Sequence, residues 1–222
     1  MPAAIESHAD LIAQLIKVSQ LCWQRGWTRA GTCSYSAVLN HQPLQLLTTT
    51  TSKCRSALVP ADFSIVDGDA FASAIDTAGS SQADADIHSW IAKHRNSNAT
   101  PANAILQTQS VWSALLADRF NTLDGVLLED HQLLGSLSGQ FSQKTSRAVW
   151  LPIIPRGKDS AEQLTLIEKA LQFQPSDCAP PTAMIIQHHS LFTWATDITT
   201  AYRQVEIFEY FCEYLVRKAG IS

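Results

Sequence analysis

Short apolar runs set between longer segments of helical spacing constrain this chain more than any other feature. The runs at 36–39, 44–49, 63–67, 104–109, 149–155 and 182–189 read as strands, bounded by Thr-, Pro- and Asp-Gly-containing turns. Several are joined by links too short for a crossover helix, so the sheet is predicted to be mixed or mainly antiparallel. Between them, Leu11, Ile12, Leu15, Ile16 and Cys22 mark a first helix, opened by Ser7 as N-cap and closed by Gly26. Ile87, Trp90 and Ile91 mark a second from Asp84 onward, after a loop at 71–82, and VWSALLADRF a third. Asp159 with Glu162 opens SAEQLTLIEKALQ. Ile198, Tyr202, Val205, Phe208, Cys212 and Leu215 fall on one face of a last helix, with Gly220 just past its end. The expectation is a single α/β domain over 1–222, with a central mixed or mainly antiparallel sheet flanked by helices.

With 222 residues, 45% hydrophobic and 16% charged, the chain can bury a substantial core. A net charge of −4 with Lys and Arg scattered singly argues against nucleic acid or a membrane surface as partner. MPAAIESHADLIAQL has no basic n-region or long apolar run, and no segment approaches the roughly 20 apolar residues of a membrane span. A cytoplasmic protein is expected. Cys22, Cys33, Cys54, Cys178 and Cys212 are widely spaced with no CxxC, which predicts core or surface thiols rather than disulfides or a Cys-rich zinc module. Phe192, Trp194 and Tyr202 read as core, and Glu206 and Glu209 with Arg203 as surface or intersubunit ion pairs.

The stretches CWQRGWTRAGTCSYS, LLTTTTSKCRSALVPADF, AILQTQSVWSALLADRF, VWLPIIP and IIQHHSLFTWATDITTAYRQVEIFEYF, taken in this order, resemble the class II aldolase/adducin family. Within it they are most similar to the methylthioribulose-1-phosphate dehydratase branch. The resemblance implies a divalent metal, usually zinc, held by two histidines of an HxH strand and a third from a later segment. On a strand, residues i and i+2 share a side, so such a pair can hold one ion while a third imidazole leaves positions open for substrate oxygens. In this chain the HxH positions are Gln107 and Gln109, and the third is His189. His188 beside it, if on a strand, faces the other way. The family's catalytic Glu falls on Gln132, with Glu129 or Asp130 as alternatives under a small shift.

For a sugar phosphate, the resemblance implies binding by Ser34 and Ser36 of CSYS, by Thr51, Ser52 and Lys53 of TSK, and by Ser80 and Ser81. Asp84 stands where a nearby family Glu would be, and Cys33 replaces a glycine that would let the backbone approach a phosphate. An amide oxygen holds zinc weakly beside an imidazole and an amide does not exchange protons as a tuned carboxylate does, so zinc is expected to be absent or weakly bound. The expected protein keeps the fold with a degenerate metal site and impaired catalysis, acting by binding, with a phosphorylated sugar as ligand, or as a subunit of a homotetramer or of a mixed oligomer with an intact homologue. The alternative is an active metal-dependent lyase with Mg2+ or Mn2+ held by oxygen donors including Gln107 and Gln109.

Overall fold

The computed structural model describes residues 8–29, 33–49, 53–68, 80–96, 101–120, 124–129, 132–137, 148–173, 175 and 178–220, the side chains of 80–83 excepted. The class is α/β, a mixed sheet flanked by five helices among the described residues. The chain packs as two compact units, Met1–Gln109 with Trp194–Tyr202, and Ser110–Thr193 with Arg203–Ser222.

In the first unit, helix α1 (Ala9–Gln24) buries Ile12, Leu15, Val18, Ser19 and Cys22, the i, i+3, i+4 stripe of an amphipathic helix. Its end is fixed by Gly26, whose φ of 74° is the left-handed conformation that glycine adopts without a Cβ penalty. Ser7, expected as the N-cap, lies outside the described residues, and His8 precedes the helix. Strands β1 (Tyr35–His41), β2 (Leu44–Thr49) and β3 (Phe63–Asp67) form an antiparallel meander, with Ala37 opposite Leu47 and Thr48 opposite Ser64. Strand β4 (Ala104–Thr108) adds antiparallel to the other edge of β1, Ser36 facing Ile105. Helix α2 (Ser80–His94) starts before Asp84, where the sequence suggested a loop. Its first residues are small and polar, so the apolar period that reveals a helix begins only at Ile87. Asp84, Ile87, His88 and Ile91 are buried along one face of it.

The second unit holds helix α3 (Val111–Arg119), strands β5 (Gly125–Glu129) and β6 (Ala148–Ile154), helix α4 (Ser160–Gln172), and strands β7 (Cys178–Ala179) and β8 (Ala183–Ile186). Strand β9 (Ser190–Ala195) and helix α5 (Ile198–Gly220) contribute residues to both units. Here β5 is antiparallel to β6, β6 parallel to β7 and β8, and β8 antiparallel to β9. Strand β5 was not legible in the sequence, since five residues next to a polar stretch carry little periodic signal.

Pro152 sits inside β6 opposite Gly125. On its other edge β6 pairs with β7 at Ala148 and Val149 and with β8 at Ile153 and Ile154, so the proline falls in the gap where β6 changes partner. Its missing N–H costs no ladder bond there. Ser110 caps α3 by accepting from the Ser113 N–H at 2.9 Å, and Asp159 caps α4 by accepting from the Glu162 N–H at 2.9 Å, the start expected from the sequence. Leu116, Leu151, Leu191, Phe208 and Cys212 are fully covered at the centre of this unit's core.

Gly220 lies within the last turn of α5 rather than beyond it. Glu209, read from the sequence as a surface or interface charge, is 2% exposed, because its helix position turns it inward beside Phe208 and Cys212. Cys22, Cys33, Cys178 and Cys212 are buried and Cys54 is exposed, the core and surface thiols that their spacing suggested.

A Cβ added at Gly125 would lie 2.6 Å from the Leu151 carbonyl oxygen and from the Trp150 ring, whereas one at Gly135 meets nothing within 4 Å. Gly125→Ala is therefore expected to cost about 1–3 kcal/mol by overpacking, and Gly135→Ala to stay within about 0.5 kcal/mol, as read by urea denaturation.

Candidate functional site

Strand β4 carries Gln107 into the interior of the first unit, where it is 1% exposed. Its side-chain Oε1 accepts from the Ser34 backbone N–H at 2.6 Å, and its Nε2 donates to Asp84 Oδ1 at 3.2 Å. The Gln107 backbone N–H returns to the Ser34 carbonyl at 3.0 Å, so the two residues hold each other reciprocally. This continues the β1–β4 ladder one step beyond Tyr35 opposite Leu106. Three elements meet at one amide: the segment entering β1, the buried face of α2, and β4 itself.

Beside that amide runs a second buried chain of polar groups. The Ser36 hydroxyl bonds Thr48 Oγ1 at 2.7 Å and lies 2.8 Å from His88 Nδ1, and Thr49 Oγ1 accepts from the Tyr35 N–H at 3.2 Å. Ser36, Thr48 and His88 are all buried, so Ser36 is committed to protein partners rather than presented at a surface. Arg55, 3% exposed, donates from Nη1 to the Lys53 carbonyl at 3.3 Å. Burial pulls its guanidinium below the ordinary value, while Tyr35, Cys33, Asp84 and Asp62 act in the opposite sense. Burial likewise pushes the Tyr35 phenol well above its usual value, reinforced by Cys22 and Cys33. The first unit thus encloses a cation, carboxylates and an amide in one neighbourhood.

Lys53 donates to Asp62 Oδ1 at 2.7 Å, with the lysine side chain exposed and the aspartate nearly covered. That bond holds the Asp62 carboxyl below the usual carboxylate range against the opposing effect of burial, helped by the Val59 N–H. Gln109 lies just past the end of β4, half-buried, and donates its backbone N–H to the Trp27 carbonyl at 2.7 Å. Strand β4 thus ends one residue before the Gln109 that the sequence placed on it.

In the second unit, His188 and His189 are in the turn between β8 and β9, not on a strand, which corrects the alternation expected of them. His189 is half-buried and stacks on Phe192, with ring centroids 5.8 Å apart. His188 is exposed, has φ of 53°, accepts from Arg156 Nη1 at its carbonyl, and lies 3.7 Å from Asp118. Gln132 is exposed at the start of a 3-10 turn (Gln132–Ser136), and Glu129 is exposed at the end of β5. Thr51, Ser52 and Asp130 lie outside the described residues, as do the side chains of Ser80 and Ser81. Among the described residues, no group of three or more His, Cys, Asp or Glu is arranged to hold a metal ion.

Residues 13–216 match the family model described as the class II aldolase and adducin N-terminal domain. The chain belongs to this family. It is 27% identical over 207 residues to a methylthioribulose-1-phosphate dehydratase of Pseudomonas syringae pv. syringae, covering 93% of this chain and 94% of that protein. It is 25% identical to the protein of the same name from Sorangium cellulosum, covering 97% and 96%. The crystal structure of L-fuculose-1-phosphate aldolase from Thermus thermophilus superposes with a TM-score of 0.65 at 15% identity, covering 95% of each chain, which establishes the shared fold. No helix among the described residues of this class II aldolase family member is long and apolar enough to cross a membrane.

Arg55 and His88 were not singled out from the sequence. His88 could have been found, since it stands four residues after Asp84 on the same helical face. Arg55, in a run of small residues, carries no such mark.

Two predictions follow from these contacts. A carboxyl whose folded pKa lies below its unfolded value of about 3.9 contributes stability that is present above that value and lost as pH falls through the folded one. Asp62→Asn is therefore expected to lower stability at pH 7 and to make its decline on acidification shallower, as read by urea denaturation at pH 7 and pH 3. At His188, the left-handed conformation strains a β-branched side chain most, so His188→Val is expected to cost about 1–2 kcal/mol and His188→Gly to stay within about 0.5 kcal/mol by the same measurement.

Proposed function

We propose that this chain is a methylthioribulose-1-phosphate dehydratase-like member of its family that acts by binding, or as a subunit of an oligomer, and not by metal-assisted lyase chemistry. The observation that carries the reading is the Gln107 side chain, whose single oxygen accepts from the Ser34 N–H while its nitrogen faces Asp84. The family works with a divalent metal such as zinc. Zinc draws on imidazole nitrogen, thiolate sulfur and carboxylate oxygen. A set of Gln107, Gln109 and His189 supplies one such donor, and the Gln107 oxygen already serves the backbone, so these residues do not fit zinc.

What supports retention of a binding role is the survival of a polar interior where a core could have been apolar. Gln107, Asp84, Ser36, Thr48 and His88 are buried and hydrogen-bonded, an expensive arrangement to keep unless it fixes a shape. The ligand class proposed is a phosphorylated sugar, met by Ser34, Lys53 and the hydroxyl-rich segments containing Thr51, Ser52, Ser80 and Ser81. Gln132 stands in this reading at the position of the family's acid, as an amide that moves no proton. The proposed assembly is a homotetramer or a mixed oligomer with an intact homologue.

Asp84 favours a second reading, since an oxygen-preferring ion such as Mg2+ or Mn2+ could draw on a buried carboxylate beside Gln107. One experiment decides between them: metal analysis of the purified protein and turnover of methylthioribulose 1-phosphate with Zn2+, Mg2+ or Mn2+ added, beside a Gln107→His, Gln109→His, Gln132→Glu variant. The expected result is neither stoichiometric metal nor turnover in the parent, and zinc uptake by the variant. Stoichiometric zinc in the parent overturns the proposal, and metal-dependent turnover that His189→Ala abolishes establishes the second reading.

A further inference from the structure

Gln107 does more than vacate a ligand position. Both ends of its side chain are used, Oε1 by the Ser34 N–H at 2.6 Å and Nε2 by Asp84 Oδ1 at 3.2 Å, and its own backbone N–H holds the Ser34 carbonyl at 3.0 Å. Ser34 is thereby gripped at both backbone groups by one residue, while the next amide, that of Tyr35, goes to Thr49 Oγ1. Asp84 is 3% exposed and is held against β4 by the same amide. An amide accepts from a backbone N–H through its oxygen and donates to a carboxylate through its nitrogen, both from one end of the side chain. A carboxylate at this position would place two acceptors face to face, and an apolar chain would strand both partners.

We propose that Gln107 is a positioning residue, a neutral clamp that sets the Ser34 backbone and the Asp84 carboxylate at fixed places on β4. The clamp deepens the binding role proposed above and rests on that reading for its purpose, because Ser34 is among the residues proposed to meet the ligand and Asp84 follows Ser80 and Ser81 in the sequence. It does not rest on that reading for its geometry. The polarity of the clamp is what distinguishes it from ordinary packing: it needs one donor and one acceptor between residues 84 and 107, in either order.

Reversing that order gives the test. Gln107→Glu keeps an acceptor for the Ser34 N–H but sets a second carboxylate against Asp84. Adding Asp84→Asn restores a donor and an acceptor with the polarity exchanged. Melting temperatures of the parent, Gln107→Glu, Asp84→Asn and the double variant are compared after chelation, with Gln107→Met as the apolar control of similar length. Backbone amide exchange at Ser34 is followed by NMR in the parent and the control. Gln107→Glu is expected to melt several degrees below the parent and the double variant to recover most of that loss. The Ser34 amide is expected to exchange about tenfold faster in Gln107→Met, the factor that one lost hydrogen bond of ordinary strength gives. A double variant no more stable than Gln107→Glu overturns the clamp, as does unchanged Ser34 exchange in Gln107→Met. Should that control not fold, the exchanged pair decides by itself. Metal analysis of the parent separates the two readings: zinc present with a rescued double variant sinks the metal-free function and leaves the clamp, while no zinc and no rescue does the reverse.

Discussion

The reciprocal grip between Ser34 and Gln107 is the constraint on which the first unit's interior is organised. The β1–β4 pairing supplies ordinary ladder bonds from Ala37 to Tyr35, and a sheet could end there. Instead, the backbone N–H of Gln107 takes the Ser34 carbonyl, and its side chain turns back to satisfy the Ser34 N–H and reaches α2 through Asp84. A loop entry, a strand and a helix are thus tied by one side chain. Buried polar groups specify a unique arrangement only when each is satisfied, and this amide does that for two partners on different elements.

Around it the polar interior divides its labour. The Ser36, Thr48 and His88 chain joins the meander to α2 at a second point, so the helix is fixed to the sheet by hydrogen bonds as well as by Ile87 and Ile91. Arg55 brings a buried positive charge into the region of Asp84 and Asp62, offsetting part of the cost of enclosing carboxylates. Lys53 closes the outer side by pairing with Asp62 at the solvent boundary. At the centre of the second unit the packing of Leu116, Leu151, Leu191 and Phe208 is apolar.

Much of the fold was legible because its longer elements declare their period. The stripe of α1, the stop at Gly26, the Asp159 cap and the meander from Tyr35 to Asp67 all follow from local chemistry. Strand β5 and the first turn of α2 did not declare themselves, one being too short and the other carrying no apolar residue at the telling positions. The same limit applies to the site. Residue identity showed that Gln107 is not an imidazole, but which atoms its amide engages depends on Ser34 and Asp84, separated from it in sequence by 73 and 23 residues. The inward turn of Glu209 was hidden for a related reason, since a carboxylate on an amphipathic helix reads as solvent-facing until its neighbours are placed.

Pro152 has a consequence for how β6 chooses its partners. A strand that pairs with β7 over one stretch and β8 over another could slide, exchanging one parallel neighbour for a longer contact with the other. Extending either neighbour onto residue 152 would ask for a hydrogen that proline does not have. The residue therefore works as a boundary post between two tenants of the same edge.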